Sequence, residues 1–188
     1  MDSLSQASSI TLLLDQSMKS LSVKLIFASL FAAFCVQAAS VYQSNEDFIT
    51  QAFAAPMPKA KVYWLEDDDK QVIEDILAHK FNKMRVRYWQ QEGETVWILE
   101  EIGKESPITV GIHIRNKAIA QTKVLVYRES RGDEVRHEFF TDQFKQAKLT
   151  GDHQLDRNID GITGATLSVR ALTKLSRIAL YLDDKVTQ

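Results

Sequence analysis

The chain has 188 residues, of which 45% are apolar and 26% charged, the balance of an ordinary globular protein with one domain. Its net charge is −2, so it lacks the electrostatic footprint of a nucleic-acid-binding protein. Its single cysteine, Cys35, excludes an intrachain disulfide. We therefore expect no nucleic-acid partner and a fold that depends on its apolar core.

The N-terminal part has the pattern of an export signal. An apolar run at residues 25–36 follows Lys19 and Lys24 and ends in Val36-Gln37-Ala38. A positive flank, a short apolar core and a small residue at the cut are typical of a secretory signal. A bilayer span would need roughly 20 apolar residues. We predict a signal peptide over residues 1–38, with an uncleaved membrane anchor as the alternative.

The start and the destination of the chain follow from this pattern. Met18, followed by Lys19, resembles a natural start, in which case residues 1–17 are an over-extended start. Cleavage after Ala38 removes Cys35, and a chain without a thiol suits an oxidising compartment. The predicted location is the periplasm, or the extracytoplasmic side of a membrane.

Residues 39–61 are polar and Ala-rich, so we predict a linker there, or a short and loosely packed helix over residues 46–53. The domain proper is predicted at residues 62–188. It opens with an apolar cluster at residues 62–65, either a short strand or a packing anchor. Apolar residues then recur at helical spacing behind an acidic start, which predicts a helix over residues 68–81.

Between residues 84 and 128 the apolar period changes to two, the spacing of half-buried strands. The turn strings Glu92-Gly93-Glu94 and Asn116-Lys117 lie between the segments. Successive strands with short connections indicate an antiparallel meander with one face on a core. The predicted strands cover residues 84–89, 95–102, 107–115 and 118–128.

Two helical segments follow the strands. Three phenylalanines, Phe139, Phe140 and Phe144, share one helical face, which predicts a short helix over residues 139–147. A wide apolar stripe predicts a longer helix over residues 165–183 that lies across the sheet. The predicted class is α+β, with an antiparallel sheet of about four main strands packed against helices and a C-terminal helix.

The string Asp-Gly-Ile-Thr-Gly-Ala-Thr at residues 160–166 stands at the start of the long helix. Asp160-Gly161 and Thr163-Gly164 are turn signals, so Thr166 falls in or beside the first turn of that helix. Backbone N–H groups there lack intrahelical partners and, with the positive end of the helix dipole, favour a phosphate. The same residue types also make an ordinary loop-to-helix junction, which is the alternative on composition alone.

The complete string resembles the flavinylation motif of the FMN-binding domain family, Asp-x-x-Thr/Ser-Gly-Ala-Thr/Ser. That family includes the covalent-FMN subunits of the sodium-pumping NADH:quinone reductase and of the Rnf electron-transport complex, and small exported proteins. Two departures occur. Lys145 and Gln146 stand where a Gly is common, and Leu167-Ser168-Val169 differs from the usual x-Thr-Ser or x-Ser-Ser. The resemblance covers about residues 94–182 and is carried by the motif and by residues 107–114, 124–135 and 140–144.

The resemblance implies a covalent FMN, held by a phosphoester at Thr166 and attached by a separate magnesium-dependent flavin transferase that uses FAD. Gly164 and Ala165 would leave the approach to Thr166 open, and Asp160 would orient the loop by capping or be recognised by the transferase. The apolar groove between sheet and helix would hold the flavin ring. The predicted cofactor-binding residues are Asp160, Gly161, Ile162, Thr163, Gly164, Ala165, Thr166, Leu167, Glu129, Ser130 and Arg131.

The function implied is an exported flavoprotein that carries electrons between membrane redox components and an extracytoplasmic acceptor. No residue of the chain is assigned a catalytic role, and the four histidines lack the spacing of metal ligands. For Glu129, Ser130 and Arg131 an exposed charged turn is an equal alternative.

Two other functions remain open at this point. The first is a non-redox binding or scaffold domain that kept the fold and lost the cofactor. The second is a hydrolase that uses Thr163 or Thr166 together with His153 and Asp156, which requires three groups to converge.

Overall fold

Six antiparallel strands form one sheet in the computed structural model, which describes residues 39–54 and 56–187. The strands are β1 Ser40–Val41, β2 Lys61–Trp64, β3 Arg85–Gln91, β4 Glu94–Ile102, β5 Pro107–Arg115 and β6 Ala118–Tyr127. They lie in the order β1-β6-β5-β4-β3-β2. The predicted α+β class and the meander are confirmed. The sheet has more than the four predicted strands, because β1 and β2 extend it at its two edges.

The helices lie before, between and after the strands. They are α1 Asn45–Phe53, α2 Asp67–Leu77, α3 Glu138–Thr141 and α4 Thr166–Val186. The predicted helix over residues 139–147 is wrong in its extent, because α3 has four residues and is flanked by two 3₁₀ turns. The chain leaves helical geometry at Lys145, and the N–H of Gln146 donates instead to the Ile119 carbonyl at 2.7 Å.

The main core lies between the sheet and α4. Helix α4 contacts β4, β5 and β6, and its apolar stripe is buried against them. Its central residues Leu172, Ala179 and Leu182 are fully buried, as are Val110 and Ile112 of β5. Burying side chains of this size stabilises a fold by about 1.5–3 kcal/mol each. The long helix is therefore held firmly along the middle of the sheet.

Helix α1 covers the opposite face of the sheet. The Ser44 hydroxyl caps it by accepting the Asp47 N–H at 3.0 Å. Phe48 is fully buried, and it packs on Gly111, where a Cβ would lie 2.5 Å from the Phe48 ring. The prediction of a loosely packed segment here is therefore wrong, because a glycine in the centre of β5 admits an aromatic ring onto the sheet. The domain boundary at residue 62 stays a prediction.

Helix α2 ends earlier than predicted, because Ala78 adopts a left-handed conformation with φ of 59°. Its first turn is anchored by Asp69, which is buried and accepts hydrogen bonds from the Tyr63 and Tyr181 hydroxyls at 2.9 and 2.8 Å. Burial alone would raise the pKa of Asp69, but hydrogen bonds from the Glu66 backbone and these hydroxyls outweigh it and lower the pKa. This carboxylate ties α2 to α4.

The predicted signal peptide, residues 1–38, lies outside the described residues. Among residues 39–54 and 56–187, no helix is both long enough and apolar enough to span a bilayer.

Candidate functional site

A cavity of about 550 Å³ lies at the N-terminal end of α4. Its walls come from the β4–β5 loop, the segment after β6 and the junction that begins α4. This volume is within the range of ligand pockets. The structure thus brings together two separate parts of the predicted site. The lining residues are Lys104, Glu129, Ser130, Arg131, Gly164, Ala165, Thr166, Leu167 and Ser168.

Thr166 is the first residue of α4, and its side chain is exposed. The preceding residue, Ala165, has no side chain that can cap the helix. Gly164 turns the chain into the helix with φ of 87°, a left-handed conformation that favours glycine. The first N–H groups of this 21-residue helix therefore stay available at the cavity wall. An uncapped helix start of this length favours an anion.

Gly132 brings the segment after β6 into contact with the helix start. It has φ of 84°, and a Cβ at this position would lie 3.2 Å from the Ala165 Cβ and 3.1 Å from the Tyr127 hydroxyl. Ala165 is 3% exposed and lies against this glycine. Ala165 also lines the cavity, and its role in keeping the approach to Thr166 open stays a prediction. Gly164 leaves open space there, since no atom lies within 4 Å of its Cβ position.

Tyr127, the last residue of β6, links the two walls. Its buried hydroxyl donates to the Arg131 carbonyl at 2.6 Å and lies 2.9 Å from the Ser168 hydroxyl. Burial raises the pKa of Tyr127, so the hydroxyl stays protonated at neutral pH. The arrangement fixes Arg131 relative to the first turn of α4.

Glu129 holds the β4–β5 loop. Its Oε1 accepts the backbone N–H groups of three successive residues, at 2.5 Å from Lys104, 2.7 Å from Glu105 and 2.9 Å from Ser106. Burial alone would raise the pKa of Glu129, but these three donors outweigh it and hold the pKa below its ordinary value. Glu129 therefore shapes the cavity wall by positioning Lys104.

The cavity wall carries two cations and one carboxylate. Lys104 and Arg131 are exposed there, beside the positive end of the α4 dipole, and the Lys104 Nζ lies 3.0 Å from the exposed Glu105 carboxylate. The Glu129 carboxylate faces the loop N–H groups. A phosphate with an attached organic group fits this combination of cations, free N–H groups and volume.

Comparison with known proteins agrees with this geometry. Residues 103–181 match the model of the FMN-binding domain family. This segment is similar to an FMN-binding domain. The matched segment includes every residue that lines the cavity, so the match supports flavin binding at this end of the fold. Comparisons with curated proteins and with solved structures gave no match.

Four of the seven motif residues lie outside the cavity wall. The Asp160 N–H donates to the Gln143 side chain at 2.7 Å, and the Asp160 carboxylate accepts only weakly from Asn158 at 3.4 Å. It does not cap α4, whose start has no side-chain cap, so the capping role predicted for Asp160 is wrong. Ile162 packs against the core and accepts the Ala165 N–H at 3.0 Å. Asp160, Gly161, Ile162 and Thr163 thus form the loop that leads to Thr166.

The groove predicted to hold the flavin ring is filled where α4 crosses β5, by Leu172, Ala179 and Leu182. The open volume next to Thr166 lies beyond the helix end. A second opening lies between α4 and strands β3 and β4, away from Thr166, and the position of the ring stays a prediction. An apolar stripe marks a face that packs, and this helix packs it against its own sheet.

Several residues of the site were not expected from the sequence. Lys104 lies between the predicted strands 95–102 and 107–115, where no site residue was predicted, and the pairing of β4 with β5 brings it to the cavity that Thr166 lines. Tyr127 and Gly132 act through contacts that are distant in sequence. The resemblance in residues 124–135 was the one signal that pointed to this segment.

The arrangement does not support a hydrolase. The Asp156 carboxylate accepts from the Lys148 backbone at 3.2 Å and from Arg157 at 3.1 Å. The His153 ring lies edge-on to the Tyr181 ring at 5.3 Å. Within the described residues, no hydrogen bond joins either group to Thr166. In the same part of the chain, no group of three or more His, Cys, Asp or Glu side chains could hold a metal ion.

Proposed function

We propose that the protein carries FMN bound covalently through a phosphoester to Thr166 and transfers electrons on the extracytoplasmic side of a membrane. One observation supports this most directly. The Thr166 hydroxyl is exposed at the uncapped start of α4, at a cavity whose wall also carries Lys104 and Arg131. A phosphoester on this oxygen would lie beside the free N–H groups of the helix.

Attachment requires a second protein. A threonine hydroxyl is a weak nucleophile and needs an adjacent base or metal. Among the described residues none hydrogen-bonds to the Thr166 hydroxyl, which favours activation by a magnesium-dependent flavin transferase. With FAD as donor, the Thr166 oxygen forms a bond to the FMN phosphorus while the pyrophosphate bond breaks. AMP leaves, and the hydroxyl proton passes to the transferase.

The exposed side of the motif suits recognition by that transferase. Asp160 and Thr163 are exposed, and Gly164 leaves open space above the backbone. Since the Asp160 carboxylate makes only one long hydrogen bond within the described residues, we assign it to contact with the transferase.

FMN supplies the redox chemistry once it is attached, and the chain supplies binding and electrostatics. Lys104, Arg131 and the start of α4 would hold the phosphate. Leu167, 42% exposed beside Thr166, offers an apolar contact for the flavin. The positive wall would also stabilise the negative charge that a flavin gains on reduction.

The proposal that the protein is exported depends on the signal pattern at residues 1–38. With that location, the electron donor is a membrane redox component and the acceptor is extracytoplasmic.

Flavin attachment is tested by producing the protein together with a flavin transferase and denaturing it. We expect the denatured chain to retain flavin fluorescence and to gain the mass of one FMN less one water. Thr166→Ala abolishes both signals. Thr173→Ala, a control on the same helix and outside the cavity, keeps them. Unmodified wild-type protein in cells that load another flavinylated domain would refute the proposal.

Electron transfer has its own test. The loaded protein should bleach reversibly on reduction and reoxidise with an added acceptor. A folded wild-type protein that never acquires flavin would instead establish the alternative, a scaffold domain without cofactor.

A further inference from the structure

The sheet opens between β3 and β4. These strands pair only from Tyr88, opposite Trp97, to Gln91, opposite Glu94. The first half of β3 pairs only with β2, which lies on its other edge, ending with Arg85 opposite Trp64. Residues 85–87 of β3 and 98–100 of β4 therefore face each other without the backbone pairing that joins neighbouring strands.

A cavity of about 420 Å³ occupies this opening. Both unpaired edges line it, since its walls include Arg85, Val86 and Arg87 as well as Ile98, Leu99 and Glu100. Backbone groups that lack a strand partner need another one when they are removed from water. The cavity shares no lining residue with the flavin site.

One wall of this cavity is apolar. Val86 and Leu99 contribute to the core on the α4 side of the sheet, and the rest of the wall comes from α2, α4 and the segment after α2. Apolar walls of this kind accept hydrocarbon groups, at about 0.8 kcal/mol per buried methylene. The further apolar residues are Leu77, Phe81, Leu175 and Ile178.

The rim on the other side is basic. Successive side chains of a strand point to opposite faces. Arg85 and Arg87 therefore lie on the face opposite to Val86, and Lys83 precedes them. None of the three forms an ion pair with another described residue. Arg85 lies over the Trp64 ring at 5.3 Å, which leaves its charge uncompensated.

Glu100 is the acidic residue of the lining, and it is already engaged. Its carboxylate accepts from the Thr109 hydroxyl at 2.6 Å and lies 3.6 Å from Arg128. The positive charge of the rim is therefore available to a ligand.

We propose that this opening binds an amphipathic anion, an alkyl chain that ends in a carboxylate or a phosphate. The alkyl chain of the ligand lies on the apolar wall beneath α4, and Arg85 and Arg87 bind its anionic group. Guanidinium groups suit both head groups, because they donate two parallel hydrogen bonds. The volume is within the range of small-molecule pockets.

Calorimetric titration of the purified protein with decanoate, decyl phosphate and decan-1-ol, below their aggregation limits, tests the proposal. We expect the anions to bind at least about tenfold more tightly than the alcohol, since charged hydrogen bonds add to chain burial. The tighter of the two anions identifies the head group. Shortening decanoate to octanoate should weaken binding about fourfold for each methylene removed.

Substitutions distinguish binding at this cavity from non-specific attraction of anions to basic side chains. The exposed pair Arg85→Gln and Arg87→Gln should lose about tenfold or more in affinity for the anions, with no change for decan-1-ol. Arg170→Gln, a guanidinium control outside the cavity, should bind like wild type. Equal losses in the control, no preference for anions over the alcohol, or no dependence on chain length would overturn the proposal.

Thr166→Ala distinguishes this site from the flavin site. We expect this variant to bind decanoate like wild type, and we expect wild type to bind decanoate equally well with and without flavin at Thr166. Loss of decanoate binding on flavin loading would place the amphiphile in the flavin cavity and refute a separate site.

Discussion

Replacing Glu129 by glutamine tests how the cavity wall is built. A carboxylate that accepts backbone N–H groups contributes about 1.5–3 kcal/mol per hydrogen bond, against about 0.5–1.5 kcal/mol for a neutral acceptor. Glu129 accepts three such N–H groups. The substitution would cost about 1 kcal/mol for each bond on these values. Because the carboxylate is partly exposed, screening reduces the total loss to roughly 2 kcal/mol.

The pH dependence of Glu129→Gln follows from its lowered pKa. The stabilisation is fully present above the ordinary glutamate pKa of 4.5 and is lost as pH falls through the lowered pKa of the folded state. Wild type should therefore exceed the variant in stability at pH 7, and the difference should shrink as the pH falls below 4.5.

Urea denaturation at pH 7 and at pH 3.5 measures this difference. Glu92→Gln, at the tip of the β3–β4 hairpin, is the control, and we expect it to be near neutral because surface changes fall within about 0.5 kcal/mol. An unchanged Glu129→Gln midpoint at pH 7, or a loss that is the same at both pH values, would contradict the role assigned to the carboxylate.

Three other substitutions test the core and the site. Tyr127→Phe removes the hydroxyl between the Arg131 carbonyl and Ser168 and should cost about 1–3 kcal/mol and slow flavin loading, measured by denaturation and by the fluorescence time course. Gly111→Ala forces the Phe48 ring off the sheet and should cost about 1–3 kcal/mol, measured by thermal melting. Burial raises the pKa of Asp183. The stability of wild type should therefore fall as the pH rises through this raised pKa, because the buried carboxyl then becomes charged. Asp183→Asn should melt at a higher temperature than wild type at pH 7.

The regular parts of the fold could be predicted from local patterns. The strand predicted at residues 107–115 agrees with the structure, because its apolar alternation and its two turns are local properties. The start of α4 lies within one residue of the predicted start, because turn signals and an apolar stripe are also local properties. Helix α1 was misjudged because its burial depends on Gly111, about sixty residues away, which no local pattern reveals.

The residues of the site could be predicted where the family resemblance supplied them. The prediction failed where tertiary packing determines which residues line the cavity. Glu129, Ser130 and Arg131 were expected near Thr166, and the cavity includes all of them. The contact of Ala165 with Gly132 was not expected, because it depends on a left-handed conformation in a distant loop. The sequence shows that one face of α4 is apolar, but not that this face is filled over β5 and left open beside β3 and β4.

Strand β1 is short, yet it pairs Ser40 with Tyr127 and Val41 with Val126. The described chain thus enters the domain beside the very tyrosine that joins the two cavity walls. Anything fused or attached immediately upstream would be delivered to the sheet edge that carries Tyr127, at the opposite edge from β2. A reporter dye placed at residue 40 should therefore respond to loading of the cavity beside Tyr127 more strongly than a dye placed on β2.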